Sequence, residues 1–471
     1  MNERMVFNGI DARTGLYLPT SKTEEEFARR IRDQPLGPAQ LRLARWWIER
    51  YGINDPNRAP VQDVDPLKIS SAGWGVIFAP GITPEIESAL KPLLDHRRNE
   101  AGPYFKTCRF QTGQSKDDFL AFYKAGLGPA DPKNVPYYLL IVGSPQEIPF
   151  RFQYELDVQY AVGRIHFENT EAYAAYARNV VEVEKAAAGG NTLPRRQITL
   201  FGVRTEGDLA TERSTDELIK PLAAMFPKDR PEWPLQIVTA EEATKAKLSR
   251  ILGGGETPSI LLTSSHGVVF PLNDLRQSTD QGALLCQDWP GIGQPALPAH
   301  YFAGDDLAKG ANLRGLIAFH FACYSGGTPQ TSNFAPDDSS LSVPQPVAPQ
   351  PFVSHLAQRL LGHPQGALAV VGHVDRAWTT SFSGSEQGQV QIFENAFKRL
   401  LDGHPLGSAM EFFNQRYGEL AVTYTELVQD QQALLDVDAD RLAHVYRSNN
   451  DAKNFVVLGD PAVKATYRTG S

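Results

Sequence analysis

A chain of 471 residues with 46 Lys and Arg against 54 Asp and Glu carries a net charge of −8, both signs being mixed along it. The absence of a basic block or stripe argues against a nucleic-acid partner, and no apolar run approaches the roughly 18 to 20 residues that span a bilayer. Three cysteines, Cys108, Cys286 and Cys323, are too few and of the wrong parity for a disulfide framework.

The start, Met1 to Ile10, lacks the apolar stretch of a secretion signal. A cytoplasmic protein is therefore expected, in a reducing compartment where a free thiol persists. The length predicts two or three domains.

Residues 1–70 read as a polar lead-in with one helix over Pro38–Tyr51, followed by a Pro- and Asp-rich linker over Asn54–Leu67. From Gly73 strands and helices alternate. Strands are predicted over Trp74–Ala79, Tyr104–Phe110 and Tyr137–Val142, and helices over Thr83–Leu94, Lys116–Tyr123 and Glu171–Lys185. The turn at Gly189, Gly190 and Asn191 closes this block.

The alternation then restarts with strands Gln197–Val203, Leu235–Thr239, Ser259–Thr263, Gly315–Phe321 and Ala367–Gly372. Helices are predicted over Ser214–Met225, Ala243–Leu252 and Phe352–Leu361. Such alternation implies mainly parallel sheets with helices on both faces, a three-layer α/β/α architecture in two tandem units. The expected division is a lead-in at 1–70, a first unit at 71–190 and a larger second unit at 191–471. Gly326 to Pro351, rich in Pro, Ser, Gln and Asp, reads as a long mobile loop.

Two strand ends carry the chemistry. One runs into Ser264-Ser265-His266-Gly267, the other into Ala322-Cys323-Tyr324-Ser325-Gly326-Gly327. Open parallel sheets collect function beyond the carboxyl ends of their strands. If these strands are neighbours, His266 can take the proton of Cys323, the arrangement a thiol nucleophile needs. Gly267 frees a backbone N–H at the turn, and the N–H groups of Gly267 and Cys323 could form an oxyanion hole. Either residue alone would be read as core.

The motifs around this pair resemble those of clan CD cysteine peptidases, the caspase-like class, and most of all the gingipain type. YYLLIVGSPQEIPF, YAVGRI at 160–165, SSHG, FACYSGG, GALAVVGHVDRAW at 366–378 and VVLGDPAV at 456–463 follow that family's order. The resemblance implies two caspase-like units, the second catalytic, and an endopeptidase acting through an acyl-enzyme on protein or peptide substrates. It also implies Glu206 as the acid orienting His266. It makes Asp216, with Asp208 in reserve, the acid of a pocket for Arg or Lys, with His373, Asp375 and Trp378 as further substrate-binding residues.

No cofactor is required in this reading. Calcium, which gingipains bind, could be held by Asn273, Asp274, Asp280, Asp288, Asp305 and Asp306, although they lack regular spacing and suit a solvated loop better. His320 and Cys286 read as core. The absence of a secretion signal is closer to bacterial CHAT-type proteases, which implies a role in intracellular signalling or defence. The alternatives are a non-catalytic scaffold on the same fold, or a zymogen activated by a partner or by cleavage at Arg195-Arg196 or in the loop after Cys323.

Overall fold

The computed structural model describes residues 6–18, 60–61, 63–189, 195–334, 346–383, 390–433 and 435–466. The expected helix over 38–51 and most of the linker after it lie outside these residues.

Ten strands form one sheet: β1 (Trp74–Phe78), β2 (Phe105–Arg109), β3 (Tyr138–Val142), β4 (Ala161–Ile165), β5 (Arg195–Gly202), β6 (Leu235–Thr239), β7 (Pro258–Ser264), β8 (Ile317–Phe321), β9 (Ala369–His373) and β10 (Phe455–Gly459). Their order across the sheet is β2-β1-β3-β4-β10-β9-β8-β7-β5-β6. The inner strands are short apolar runs buried on both faces, as parallel strands covered by helices must be. The edge strands β2 and β6 keep exposed positions.

The sheet has two halves with related winding, β2-β1-β3-β4 and β6-β5-β7-β8-β9, and every pair within a half is parallel. β10 joins them. It runs parallel to β4 and antiparallel to β9, so the two halves point in opposite directions. The expected units are thus fused edge to edge, through a strand that the sequence pattern did not distinguish from a motif. Helices Pro84–Ala101 and Thr170–Gly189 pack together, as do Glu411–Gln432 and Ala439–Ala452. None of the described helices is long and apolar enough to cross a membrane.

A smaller sheet sits beyond the end of β7, with strands in the order Gly9–Asp11, Gly267–Val269, Leu284–Leu285 and Tyr301–Phe302. Its first member comes from the lead-in, which was expected to stand apart. Ile10 and Ala12 are buried there with Val268, Phe270 and Trp289. The loop expected to be mobile after Cys323 is packed at both described ends: Gly327–Thr328 pairs with Phe352–Val353, and Phe334 is buried against Trp378.

Candidate active site

β7 and β8 are parallel neighbours whose last residues, Ser264 and Phe321, stand opposite each other. His266 and Cys323 each follow two residues later, so one register places both residues at the same carboxyl edge of the sheet. Gly267 is fixed by close approach: a Cβ added there would lie 1.9 Å from the Cys323 carbonyl oxygen. After the thiol the backbone turns sharply, with Tyr324 at φ 59° and Asp375 at φ 75°, positions that non-glycine residues seldom occupy. The Tyr324 N–H donates to the Asp375 carbonyl (2.8 Å), locking the two turns together.

The acid partner of His266 is Asp208, not Glu206. Nε2 of His266 lies 2.5 Å from Asp208 Oδ2, and both side chains are fully buried. The same carboxylate accepts the hydroxyls of Thr211 (2.9 Å) and of Tyr17. Burial pushes the Asp208 carboxyl up, but the imidazole and these hydrogen bonds outweigh it and hold the group below its ordinary value. The ring of Tyr17 meets His266 edge-on at 5.6 Å, and Trp289 does the same at 6.1 Å. The imidazole is thereby fixed through Nε2, while Nδ1 is buried with no hydrogen-bond partner.

The N–H groups of Gly267 and Cys323 converge on one oxygen, the carbonyl of Asn8, each at 2.9 Å. The Cys323 Sγ accepts the Ala377 N–H at 3.2 Å. Burial pushes the thiol well above its ordinary range in this arrangement. On the amino side of Asn8 the chain lies antiparallel to 377–379. Asn8 N–H donates to the Ala377 carbonyl (2.9 Å), and Thr379 N–H donates to the Val6 carbonyl (3.1 Å).

The family model for peptidase family C25 matches residues 76–466. The chain belongs to peptidase family C25. It is accordingly a cysteine peptidase, and the large mostly parallel sheet is the caspase-like gingipain fold. Among solved structures, the Arg-specific cysteine proteinase gingipain R is 13% identical with a TM-score of 0.50, the alignment covering 88% of this chain and 81% of that one. A structure described as a protease is 15% identical (TM-score 0.49, 84% and 79% covered). The complex of Porphyromonas gingivalis RgpB pro- and mature domains is 14% identical (0.48, 84% and 80%). No curated protein sequence matches the chain.

Against this C25 frame, several expected positions move. Asp216, expected as the pocket acid, is partly exposed and already paired with Lys220 (2.6 Å) and Arg204 (3.3 Å). Asp208, the reserve for that pocket, is taken up by His266. The His373 ring is buried beside Asp451, 3.0 Å from its carbonyl, and holds the end of β9 to helix Ala439–Ala452. The Asp375 carboxylate accepts the Ser332 hydroxyl (2.7 Å) and Asn333 N–H (3.2 Å), so it shapes the loop behind the thiol. Trp378 is buried and packs against Phe7, the ring centroids 4.9 Å apart.

Of the acids considered for calcium, Asp274 pairs with Arg13 (2.9 Å) and Asp306 with Lys245 (2.7 Å). Asp280 accepts the Tyr301 hydroxyl (2.7 Å), Asp288 the Lys245 N–H (2.6 Å), and Asp305 faces His355 (3.4 Å). Each of these carboxylates is engaged within the protein, Asp288 and Asp306 by the same Lys245.

His320 is buried in β8 with Thr263 at 2.8 Å, and burial holds its pKa down to about 4. Cys286 is buried core. Sequence reasoning missed Asn8, Tyr17, Ser214, Ser265 and Asp451. The apolar VFNGI within a polar lead-in was the one available signal for the first of them.

Proposed function

We propose that the chain is an endopeptidase in which Cys323 is the nucleophile, His266 the proton carrier and Asp208 the orienting acid. The observation that carries this is the convergence of the Gly267 and Cys323 N–H groups on a single carbonyl oxygen beside the thiol. A substrate carbonyl in that place would be polarised there, and its developing oxyanion would be held by two fixed dipoles in a dry site. His266 takes the thiol proton on Nδ1, the nitrogen left without a partner. Asp208 keeps Nε2 protonated and favours the imidazolium. The thiolate attacks, the amine leaves with the proton from His266, and water then hydrolyses the thioester.

A preference for Arg or Lys was tied to Asp216, whose surface ion pairs remove that support. The residue supplying the cleaved carbonyl (P1) is therefore open to direct test. Fluorogenic peptides bearing Asn, Arg or Lys at P1 should be hydrolysed by the wild type and not by Cys323→Ala, with a loss of at least about 10³-fold. Equal turnover by the two proteins would overturn the assignment of the nucleophile.

A further inference from the structure

We infer that the peptide bond between Asn8 and Gly9 is the chain's own cleavage site, and that the pocket around Asn8 selects an uncharged amide side chain at P1. This rests on the thiol-peptidase reading above and extends it to substrate choice.

The segment changes partner at this bond. Val6 to Asn8 lie antiparallel to 377–379, with the Val6 carbonyl accepting both the N–H (3.1 Å) and the hydroxyl (3.0 Å) of Thr379. Gly9 to Asp11 instead run parallel to Gly267–Val269, starting from Gly9 opposite Gly267. The switch falls at the thiol. A Cβ added to Gly9 would lie 2.7 Å from Cys323 Sγ, so glycine is what lets the backbone cross the sulfur. The carbonyl on the other side of the bond already fills the pair of N–H donors.

The Asn8 side chain is fully buried. Its amide donates to the Ser265 carbonyl (3.2 Å) and to the hydroxyl of Ser214 (3.4 Å), while Oδ1 has no hydrogen-bond partner. Ser214 opens a wide π-turn, Ser214–Ile219, a distortion that recurs at functional sites. Neither partner of the amide is charged, so a guanidinium or ammonium entering here would lose its hydration without a counter-ion.

The chemistry balances with water as the one co-reactant. Cys323 Sγ bonds to the Asn8 carbonyl carbon, and the bond from that carbon to the Gly9 nitrogen breaks. The Gly9 amine leaves with the proton carried by His266. Water, deprotonated by His266, then attacks the thioester, giving an Asn8 carboxylate and restoring the thiol. Residues 1–8 depart. Gly9 onward stay, because Ile10 and Ala12 are buried in the small sheet and Tyr17 is held by Asp208. Departure uncovers the 377–379 backbone and the thiol for other substrates.

The test is intact mass and amino-terminal sequencing of the full chain during incubation, alongside Cys323→Ala, with Cys323→Ser in reserve should the alanine variant not fold. The expected result is loss of residues 1–8 from the wild type alone, at a rate independent of protein concentration. Peptides ending Val-Phe-Asn should then be cut at least about tenfold faster than Val-Phe-Arg, a difference set by the cost of burying an unpaired charge. A wild type that hydrolyses peptides while the 8–9 bond stays intact would overturn the self-cleavage and leave the peptidase standing. Faster cutting after Arg would overturn the pocket. A wild type that cuts neither itself nor any peptide would sink the peptidase reading, and this inference with it.

Discussion

Each half of the sheet buries a set of charges, and the two sets are finished differently. In the first half Arg97 is fully buried with every nitrogen engaged: Nε on Asp460 (2.7 Å), Nη2 on Glu184 (2.6 Å), and Nη1 on Glu184 (2.8 Å) and Glu100. Asp460 also accepts the indole N–H of Trp74 (2.9 Å). In the second half His266 has one nitrogen on Asp208 and the other unpartnered. A satisfied network rigidifies, whereas a buried group left incomplete is stable only where the surrounding fold holds it for a task. The two halves share a winding order, yet Arg97 is saturated by carboxylates while His266 keeps Nδ1 open beside the end of β8.

The sharpest way to break this contrast is at two of the three buried thiols, one from each half of the sheet. Cys323→Ala should abolish peptide hydrolysis, by at least about 10³-fold. Cys108→Ala, in β2 of the other half, should leave turnover unchanged and cost about 1–3 kcal/mol in a denaturant melt, as core truncations do.

Asp208→Asn should lower kcat by about 10² to 10⁴-fold, because it fixes the wrong imidazole tautomer, while Glu206→Gln stays within about twofold. The pH dependence follows from the depressed Asp208 carboxyl. Such a group stabilises the fold fully above the ordinary carboxylate value, and the contribution is lost as pH falls through the folded value. The stability gap between wild type and Asp208→Asn should therefore hold from neutrality down to about pH 4 and shrink below it. A gap that widens in acid would contradict the pairing.

Arg97→Met should act in the opposite sense. It strands buried carboxylates and should cost about 3–5 kcal/mol, with kcat of the folded fraction unchanged. The smallest effect belongs to Asp216→Ala. Surface pairs contribute about 0.2–1 kcal/mol, and kcat/KM should not move for any P1 residue. A selective loss on Arg peptides would restore Asp216 to the pocket.

The sequence made the proposed pair, His266 and Cys323, legible because apolar runs, strand ends and flanking glycines are local. The register of Ser264 with Phe321 then converts two local signals into one site. Glu206 and Asp208 lie two residues apart in one loop, and spacing alone could not say which carboxylate turns inward. β4 and β10, five buried residues each, were seen only as motifs, although β1 and β3 with the same pattern were read as strands. The helices over 390–401, 411–432 and 439–452 were not read, although Asp451 on the last of them accepts the Trp378 N–H (2.9 Å) and so anchors 377–379. The role of Val6 to Gly9 depends on contacts with residues more than 200 positions away, which no local pattern encodes.

β10 has a bearing on how the molecule is made. It is drawn from residues 455–459 yet lies at the centre of the sheet, bonded to β4 some 290 positions earlier and to β9. Pairing across such a distance carries a loop-closure cost and slows folding. Until it forms, β9 is an open edge and the turn carrying Ala377 has no fixed base. β10 thus ties the turn beside Cys323 to a pairing that spans most of the described chain, and the Val374 N–H, donated to the Asn454 carbonyl (2.8 Å), continues that tie past the end of β9.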